Sequence, residues 1–110
     1  MYLLLSRLGI TANYAGFHYT AYAVSLACRQ PDSLLLVTKW LYPDVARQYH
    51  TKWQRVERNI RTVIAIAWSE NRPLLEKMAG YPLSHRPQPV QFLSILVSAL
   101  RSGAAERFLE

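Results

Sequence analysis

The sequence contains few of the residues from which enzyme and metal sites are usually built. Its one cysteine, Cys28, cannot form an internal disulfide, and we expect it to be a small buried core residue of a cytosolic protein. The histidines, His18, His50 and His85, are far apart, and no His/Cys/Asp cluster has the spacing of metal ligands. The four glycines are not spaced as a phosphate-binding loop. These absences predict a protein without catalytic activity, metal or cofactor.

Long apolar runs are absent as well. The run from Leu34 to Val37 is soon followed by Lys39, and no stretch approaches the ~20 apolar residues of a membrane span. The Met-Tyr-Leu-Leu-Leu start has no basic leader and is interrupted at Ser6 and Arg7, which argues against a signal peptide. We therefore predict a soluble, intracellular protein that makes no membrane contact.

The composition indicates one domain with a substantial core, since 51% of the 110 residues are apolar and 18% are charged. No alternating run argues for a strand, so we predict an all-α fold of about six or seven helices in residues 1–102, followed by a frayed tail over residues 103–110. Ser33 is the expected N-cap of the third helix, and Asn71 opens the sixth. Capping residues, glycines and prolines set the predicted helices at Tyr2 to Leu8, Phe17 to about Arg29, Ser33 to Leu41, Pro43 to Tyr49, Lys52 to about Ser69, Pro73 to Ala79, and Pro89 to about Ser102.

The segment 42–61 has the pattern of a helix-turn-helix, with a short helix, a tight turn and a longer helix that carries arginines on its leading face. Pro43 suits the first helical position, where its missing N–H is not needed, and Tyr42 before it marks the helix boundary. Thr51 and Gln54 have the spacing of a capping box for the second helix. Both helix starts are therefore marked in the sequence.

Basic residues are concentrated in the same part of the chain. Lys and Arg outnumber Asp and Glu by 13 to 7, which gives a net charge of +6. Between Lys39 and Arg61 there are six basic and two acidic residues, a net +4. This segment is expected to meet a polyanion, although a solvated basic surface would have the same composition.

The second helix of the motif presents side chains suited to base edges on one outward face. Arginine can donate to guanine O6 and N7 together, so Arg58 and Arg61 are the expected base readers. Glu57 can accept from a cytosine amino group, or it can pair with Arg61 one helical turn on. The residues predicted to contact bases are Gln54, Glu57, Arg58 and Arg61.

Other polar residues flank this face and suit the sugar–phosphate backbone, where they would set affinity and salt dependence. His50 in the turn can touch a phosphate or be a plain turn residue. Arg47 and Lys39 can contact the backbone or remain solvated. Trp53 can pack on a sugar or a thymine methyl, or it can cover the turn. The predicted backbone contacts in the motif are Arg47, His50, Thr51, Lys52 and Arg55.

Three strings in the chain have a more specific pattern than a generic helix-turn-helix. Leu41-Tyr-Pro-Asp-Val-Ala46, Arg55-Val-Glu-Arg-Asn-Ile-Arg61 and Ala67-Trp-Ser69, in that order and spacing, closely resemble the C-terminal DNA-binding effector domain of the stage-zero sporulation response regulator of endospore-forming Firmicutes. The similarity extends from about Leu5 to Arg101. It implies an all-helical domain that binds a short box in promoter DNA, often as tandem copies, and activates or represses transcription in the bacterial cytoplasm, associated with the nucleoid.

The resemblance also assigns individual positions. The family's base-reading positions match Glu57, Arg58 and Arg61, and its basic-Pro pair in the loop before the last helix matches Arg86 and Pro87, so Arg86 is a further predicted backbone contact. The chain departs from the family at Lys52 and Trp53, where small residues are usual. The family's regulators carry an N-terminal receiver domain, for which 110 residues leave no room, so either an excised domain or a stand-alone relative is expected.

Two classes of function are compatible with these features. The first is a sequence-specific regulator that binds double-stranded DNA, with RNA polymerase or a second copy on tandem sites as further partners. The alternative is a non-catalytic interaction module that docks on a full-length regulator or on RNA polymerase. The apolar stripe of the last helix would support the second function if part of it were exposed.

Overall fold

The computed structural model of the chain describes residues 1–101, and these residues form helices and loops without any strand. The predicted all-α class is confirmed, with five α-helices where six or seven were expected. The predicted tail over residues 103–110 lies outside the described residues. The helices are α1 (Tyr2–Arg7), α2 (Ala15–Arg29), α3 (Tyr42–Gln48), α4 (Trp53–Ala79) and α5 (Pro89–Arg101), with a 3-10 turn (Pro31–Leu35) and a π turn (Val37–Leu41) between α2 and α3.

The predicted third helix from Ser33 to Leu41 is wrong. The chain instead forms the 3-10 turn and the π turn, separated by Leu36 in a non-helical conformation (φ −138°, ψ 62°). Four consecutive apolar residues at 34–37 cannot all face the core from one regular helix, and Leu35 is 79% exposed while Leu41 is buried. Ser33 does not cap, because its buried hydroxyl makes no hydrogen bond among the described residues. The irregular backbone thus delivers Leu41 to the core at the start of the helix-turn-helix.

The start of α3 also differs from the prediction. Tyr42 has helical dihedral angles (φ −64°, ψ −41°) and is the first residue of α3, so the expected break before Pro43 is absent. Pro43 therefore occupies the second helical position, where its missing N–H still has no partner to lose. Tyr42 thus adopts the conformation that is disfavoured before proline, and its side chain is buried, with 1% of its surface exposed.

Two predicted helices lie within the single span of α4. Asn71 interrupts this span with non-helical angles (φ −152°, ψ 58°), and the N–H of Leu74 donates to Asn71 Oδ1 over 3.3 Å. Asn71 therefore caps the second part of α4, as predicted, and Gly80 ends it with a left-handed conformation (φ 84°). The Asn71 amide also donates to the carbonyl of Arg7 over 2.7 Å, which ties the interruption to the end of α1.

The core forms where α2, α4 and α5 pack together. Gly16 on α2 allows a close approach to α4, because a Cβ at this position would lie 2.5 Å from the carbonyl oxygen of Asn59. Cys28 is half-buried at the edge of the core, which corrects the expectation that it would be fully buried. Before the interruption at Asn71, the buried residues of α4 lie on one face, namely Val56, Ile60, Val63, Ile64 and Ala67. The buried residues of α5 include Phe92, Leu93, Ile95, Leu96 and Ala99. This core holds the first half of α4 with its opposite face outward.

Candidate nucleic-acid interface

The turn between α3 and α4 closes α3 through backbone hydrogen bonds. The N–H of Thr51 donates to the carbonyl of Ala46 over 2.9 Å, and the N–H of His50 donates to the carbonyl of Arg47 over 3.4 Å. His50 lies between them with a left-handed backbone (φ 55°). This is the Schellman arrangement, in which the left-handed position usually holds glycine. The turn thus carries a histidine in a conformation that costs a side-chain-bearing residue free energy.

The predicted capping box at Thr51 and Gln54 is wrong. The N-cap of α4 is Lys52, with an extended backbone (φ −102°, ψ 148°), and no side chain caps the helix. Thr51 is unavailable for the role because it already forms the second residue beyond the end of α3. The free N–H groups at the start of α4 are consequently left to solvent or to a ligand.

The predicted base-reading residues lie on one exposed stripe of α4. Gln54, Arg58 and Arg61 are exposed, and Glu57 is half-buried at the edge of the stripe. The spacing of three and four residues brings these side chains onto neighbouring turns of one face. Val56 and Ile60, on the opposite face, are fully buried. The structure therefore assembles the four predicted readers, which we call the reading stripe, on a rigid helix.

Glu57 and Arg61 form an ion pair on this stripe, with 3.5 Å between Arg61 Nε and Glu57 Oε1. The pairing alternative for Glu57 is thus present in the free chain. Burial is the main cause that raises the pKa of Tyr42 to about 12; the charge of Glu57 adds to the rise and that of Arg61 opposes it. The Tyr42 hydroxyl itself is buried without a hydrogen-bond partner among residues 1–101. The buried hydroxyl of Tyr42 was not predicted from the sequence, because a tyrosine before a proline gives no sign of burial.

The predicted backbone-contacting residues surround the start of α4. One surface groove is lined by His50, Thr51, Lys52, Arg55 and the predicted readers Gln54 and Arg58. A second groove contains Arg47 together with Thr51, Lys52 and the half-buried Trp53. Trp53 also packs against the core, as expected of a residue that covers the turn. The structure therefore brings all five predicted backbone contacts of the motif into two adjoining grooves.

Arg86 approaches the reading stripe from the other side. It lies in the loop before α5 and lines a small groove with Arg61, Ile64 and Gln88. Spacing in the sequence could not connect Arg86 with Arg61, since 24 intervening residues separate them. The resemblance alone had suggested Arg86, and the fold places it beside a predicted base reader. Cations consequently lie on both sides of the stripe.

No group of His, Cys, Asp or Glu within residues 1–101 could hold a metal ion. The histidines outside the turn make local contacts, since a ring nitrogen of His18 lies 2.8 Å from the carbonyl oxygen of Ala12 and one of His85 lies 3.2 Å from that of Arg86. No helix in this same part of the chain has the length and apolar character needed to cross a membrane.

The sequence matches the model of a known protein family over residues 1–100. The family is described as the C-terminal domain of the sporulation initiation factor Spo0A. It is a DNA-binding regulatory family rather than a catalytic one. The match spans every element from α1 to the last turn of α5, including the helix-turn-helix, its turn and the reading stripe. The chain therefore belongs to the Spo0A C-terminal family of DNA-binding transcription factors of sporulation initiation.

Proposed function

We propose that the chain recognises a short box in promoter DNA by inserting the first half of α4 into the major groove. The observation that supports this function is the reading stripe itself. Arg58 and Arg61 stand on an exposed helix face, beside the half-buried carboxylate of Glu57, and the opposite face is anchored in the core. A helix-turn-helix uses its second helix in this way.

The side chains of the stripe match different base edges. Arg58 and Arg61 each offer a planar set of donors for guanine O6 and N7. Glu57 accepts from a cytosine amino group, and Gln54 suits the N6 and N7 edge of adenine. In this proposal the Glu57 and Arg61 pair opens when Arg61 turns toward a base, since both side chains are partly exposed to water and the pair is weak.

The residues around the stripe position the protein on the duplex. Lys52 and Arg55 lie at the start of α4, where free N–H groups and positive side chains suit a phosphate. Arg47 lies in a groove with Lys52, and Arg86 lies in a groove with Arg61 further along α4. His50 and Thr51 form the turn that faces the same groove. These contacts contribute affinity and salt dependence but carry no sequence information.

The alternative function is docking on a full-length regulator or on RNA polymerase. An exposed apolar stripe on α5 would support this function. Phe92, Ile95, Leu96 and Ala99 are instead buried, and Leu100 is half-buried. This observation gives the docking function no support. RNA polymerase and a second copy on an adjacent box are partners that we propose for the DNA-bound protein in the bacterial cytoplasm, on the basis of the resemblance alone.

The test begins with selection of bound sequences from a pool of duplexes with a random centre. The selected box and a scrambled duplex are then titrated with the unmutated chain and with Arg58→Ala and Arg61→Ala. Each substitution is expected to cost about 1–3 kcal/mol on the box and much less on the scrambled duplex. Arg55→Ala serves as the matched control, because it removes the same charge and is expected to weaken both duplexes equally.

Two outcomes would contradict the proposal. One is a selection that enriches no common box. The other is an equal loss on both duplexes for Arg58→Ala and Arg61→Ala, which would make these residues phosphate contacts. A salt series distinguishes DNA binding from an apolar protein contact, because an interface with several phosphates weakens steeply between low and moderate salt.

A further inference from the structure

A fourth groove lies next to the proposed interface, between the 3-10 turn and α3. It includes the exposed indole of Trp40, which follows Lys39 in the π turn. Sequence reasoning did not single out Trp40, although 54% of its surface is exposed. We call this the flanking groove. Its charged and aromatic lining residues are Arg29, Asp32, Lys39, Trp40, Asp44 and Arg47.

The flanking groove is continuous with the grooves at the start of α4. Arg47 lines the flanking groove and also the groove that contains Thr51 and Lys52. Thr51 and Lys52 in turn line the groove that contains Arg58 of the reading stripe. An unbroken surface track therefore leads from the reading stripe across α3 to Trp40.

The charges of the flanking groove favour a polyanion. Arg29 and Lys39 form no ion pair with any residue in 1–101, whereas Arg47 is paired with Asp44. Asp32 is the remaining carboxylate, so the lining carries three positive and two negative charges. A groove with two unpaired cations is well suited to phosphates, and the flat apolar face of an exposed tryptophan is suited to a deoxyribose ring.

We propose that the flanking groove binds the sugar–phosphate backbone of the duplex just outside the box. Lys39 and Arg29 contact phosphates, and Trp40 packs on a sugar. This proposal rests on the function proposed above, in which α4 occupies the major groove. In that arrangement the first helix of the motif crosses the DNA backbone, so the segment before α3 lies over the flank of the box.

The length of α3 sets the reach of this contact. Its seven residues span about 10 Å. Successive phosphates on one strand are separated by about 3.4 Å along the duplex axis. Lys39 and Trp40, which precede α3, are therefore expected to contact the backbone no more than about three base pairs from the phosphates held at Arg47.

The experiment removes phosphate charges from the DNA and cations from the protein in one thermodynamic cycle. Duplexes of equal length carry the selected box, with three consecutive methylphosphonates on one flank, on the other flank, or far from the box. For the unmutated chain, neutralising one near flank is expected to weaken binding about three- to tenfold, and the distant patch to have no effect. For the double variant Lys39→Ala with Arg29→Ala, neutralising the same flank is expected to change the affinity less than twofold.

Further variants are expected to change the affinity for the unmodified duplex in a stated direction. Lys39→Ala is expected to weaken binding about two- to fivefold and to reduce the slope of log K against log salt by about 0.9. Asp32→Asn is expected to strengthen binding, and Trp40→Ala to weaken it. Lys77→Ala is the matched control, since Lys77 lies at the far end of α4 and its loss changes net charge equally. Thermal unfolding checks that each variant is folded.

The outcomes separate this proposal from the function on which it rests. If no duplex is bound selectively, the proposed function fails. If the box is bound but neither near flank responds to neutralisation, or if the flank effect persists in Lys39→Ala with Arg29→Ala, the flanking contact is overturned and box recognition stands. If Lys39→Ala and Trp40→Ala leave every duplex affinity unchanged, the flanking groove makes no contact with the DNA and the proposal is likewise overturned.

Discussion

Arg61 Nε lies 3.5 Å from Glu57 Oε1, so the one carboxylate of the reading stripe is paired with one of its two arginines in the free chain. The arginine side chain is 55% exposed and the glutamate side chain 30% exposed. An ion pair this accessible to water contributes only a few tenths of a kcal/mol. In the proposed function this pair can therefore hold Arg61 in position before DNA binds without preventing its transfer to a base.

Glu57→Gln is expected to relax sequence selectivity while strengthening binding to unrelated DNA. In the proposed complex the substitution removes a negative charge close to the phosphates. It also replaces the carboxylate acceptor for a cytosine amino group with a neutral amide, whose oxygen is a weaker acceptor and whose NH2 can donate to other bases. Affinity for a scrambled duplex should rise, and discrimination in favour of the selected box should fall by about 1–3 kcal/mol. Titration of both duplexes measures the two effects. Glu70→Gln is the control, because it neutralises an exposed glutamate beyond the stripe. It should change neither the affinity for the scrambled duplex nor the discrimination in favour of the box. Unchanged discrimination in Glu57→Gln would limit Glu57 to pairing with Arg61.

Gly16→Ala is expected to disturb the reading stripe from the opposite side of α4. The added Cβ would lie 2.5 Å from the carbonyl oxygen of Asn59 and 2.7 Å from Val63 Cγ2, so α2 and α4 must move apart. The free energy of unfolding should fall by about 1–3 kcal/mol, as in other overpacked cores. Urea unfolding measures this loss, and Ser25→Ala at an exposed position of α2 should show none. An unchanged stability would mean that the two helices separate without cost.

The fold could be predicted from the sequence wherever a local signal agreed with the packing. Gly9 and Gly80, both with positive φ, end helices where expected, and Asn71 opens the second part of α4. The segment 33–41 could not be predicted, because its apolar run fits a helix locally. The interruption lies at Leu36, an apolar residue that is compatible with a helix, so no residue type in the sequence marks the irregular turns.

The candidate site could be predicted as a set of side chains but not as a surface. Helical spacing was sufficient to place Arg58 and Arg61 on one face. The prediction of a capping box at Thr51 rested on two suitable residue types. It was wrong because Thr51 belongs to the turn that ends α3, where its backbone N–H donates to Ala46. Arg47 lines two grooves and so joins them. This arrangement could not be predicted, because it depends on how separate elements pack and not on a periodic pattern in the sequence.

Asn71→Ala is expected to destabilise the chain by about 1–2 kcal/mol, because Asn71 both caps a helix and donates to the carbonyl of Arg7. Asn71→Ser keeps a capping oxygen for the N–H of Leu74 but lacks the amide group that donates to the carbonyl of Arg7. Its cost should therefore be smaller than that of the alanine variant. Chemical denaturation of the two variants gives the comparison. Equal losses would show that the contact with α1 matters more than the cap.

Tyr42→Phe is expected to change how stability depends on pH in the alkaline range. An unfolded tyrosine loses its proton near pH 10, whereas the pKa of buried Tyr42 is raised to about 12. Between these values the unfolded chain binds fewer protons than the folded chain, so the free energy of unfolding falls as pH rises. The contribution of Tyr42 is thus fully present below pH 10 and is lost as pH rises through 12. Linkage gives a loss of about 2 kcal/mol near pH 12, and phenylalanine cannot show it.

The comparison with the unmutated chain isolates this group, since the pKa of Tyr49 is also raised by burial and remains in both proteins. At pH 7 the variant should be as stable as the unmutated chain, or more stable by up to about 1 kcal/mol, because the hydroxyl that it loses is buried without a partner. Urea unfolding followed by circular dichroism at several pH values from 7 to 12 measures both effects. Parallel pH profiles for the two proteins would mean that Tyr42 titrates as an exposed tyrosine, and that the hydroxyl is therefore not held in the dry contact between α3 and α4.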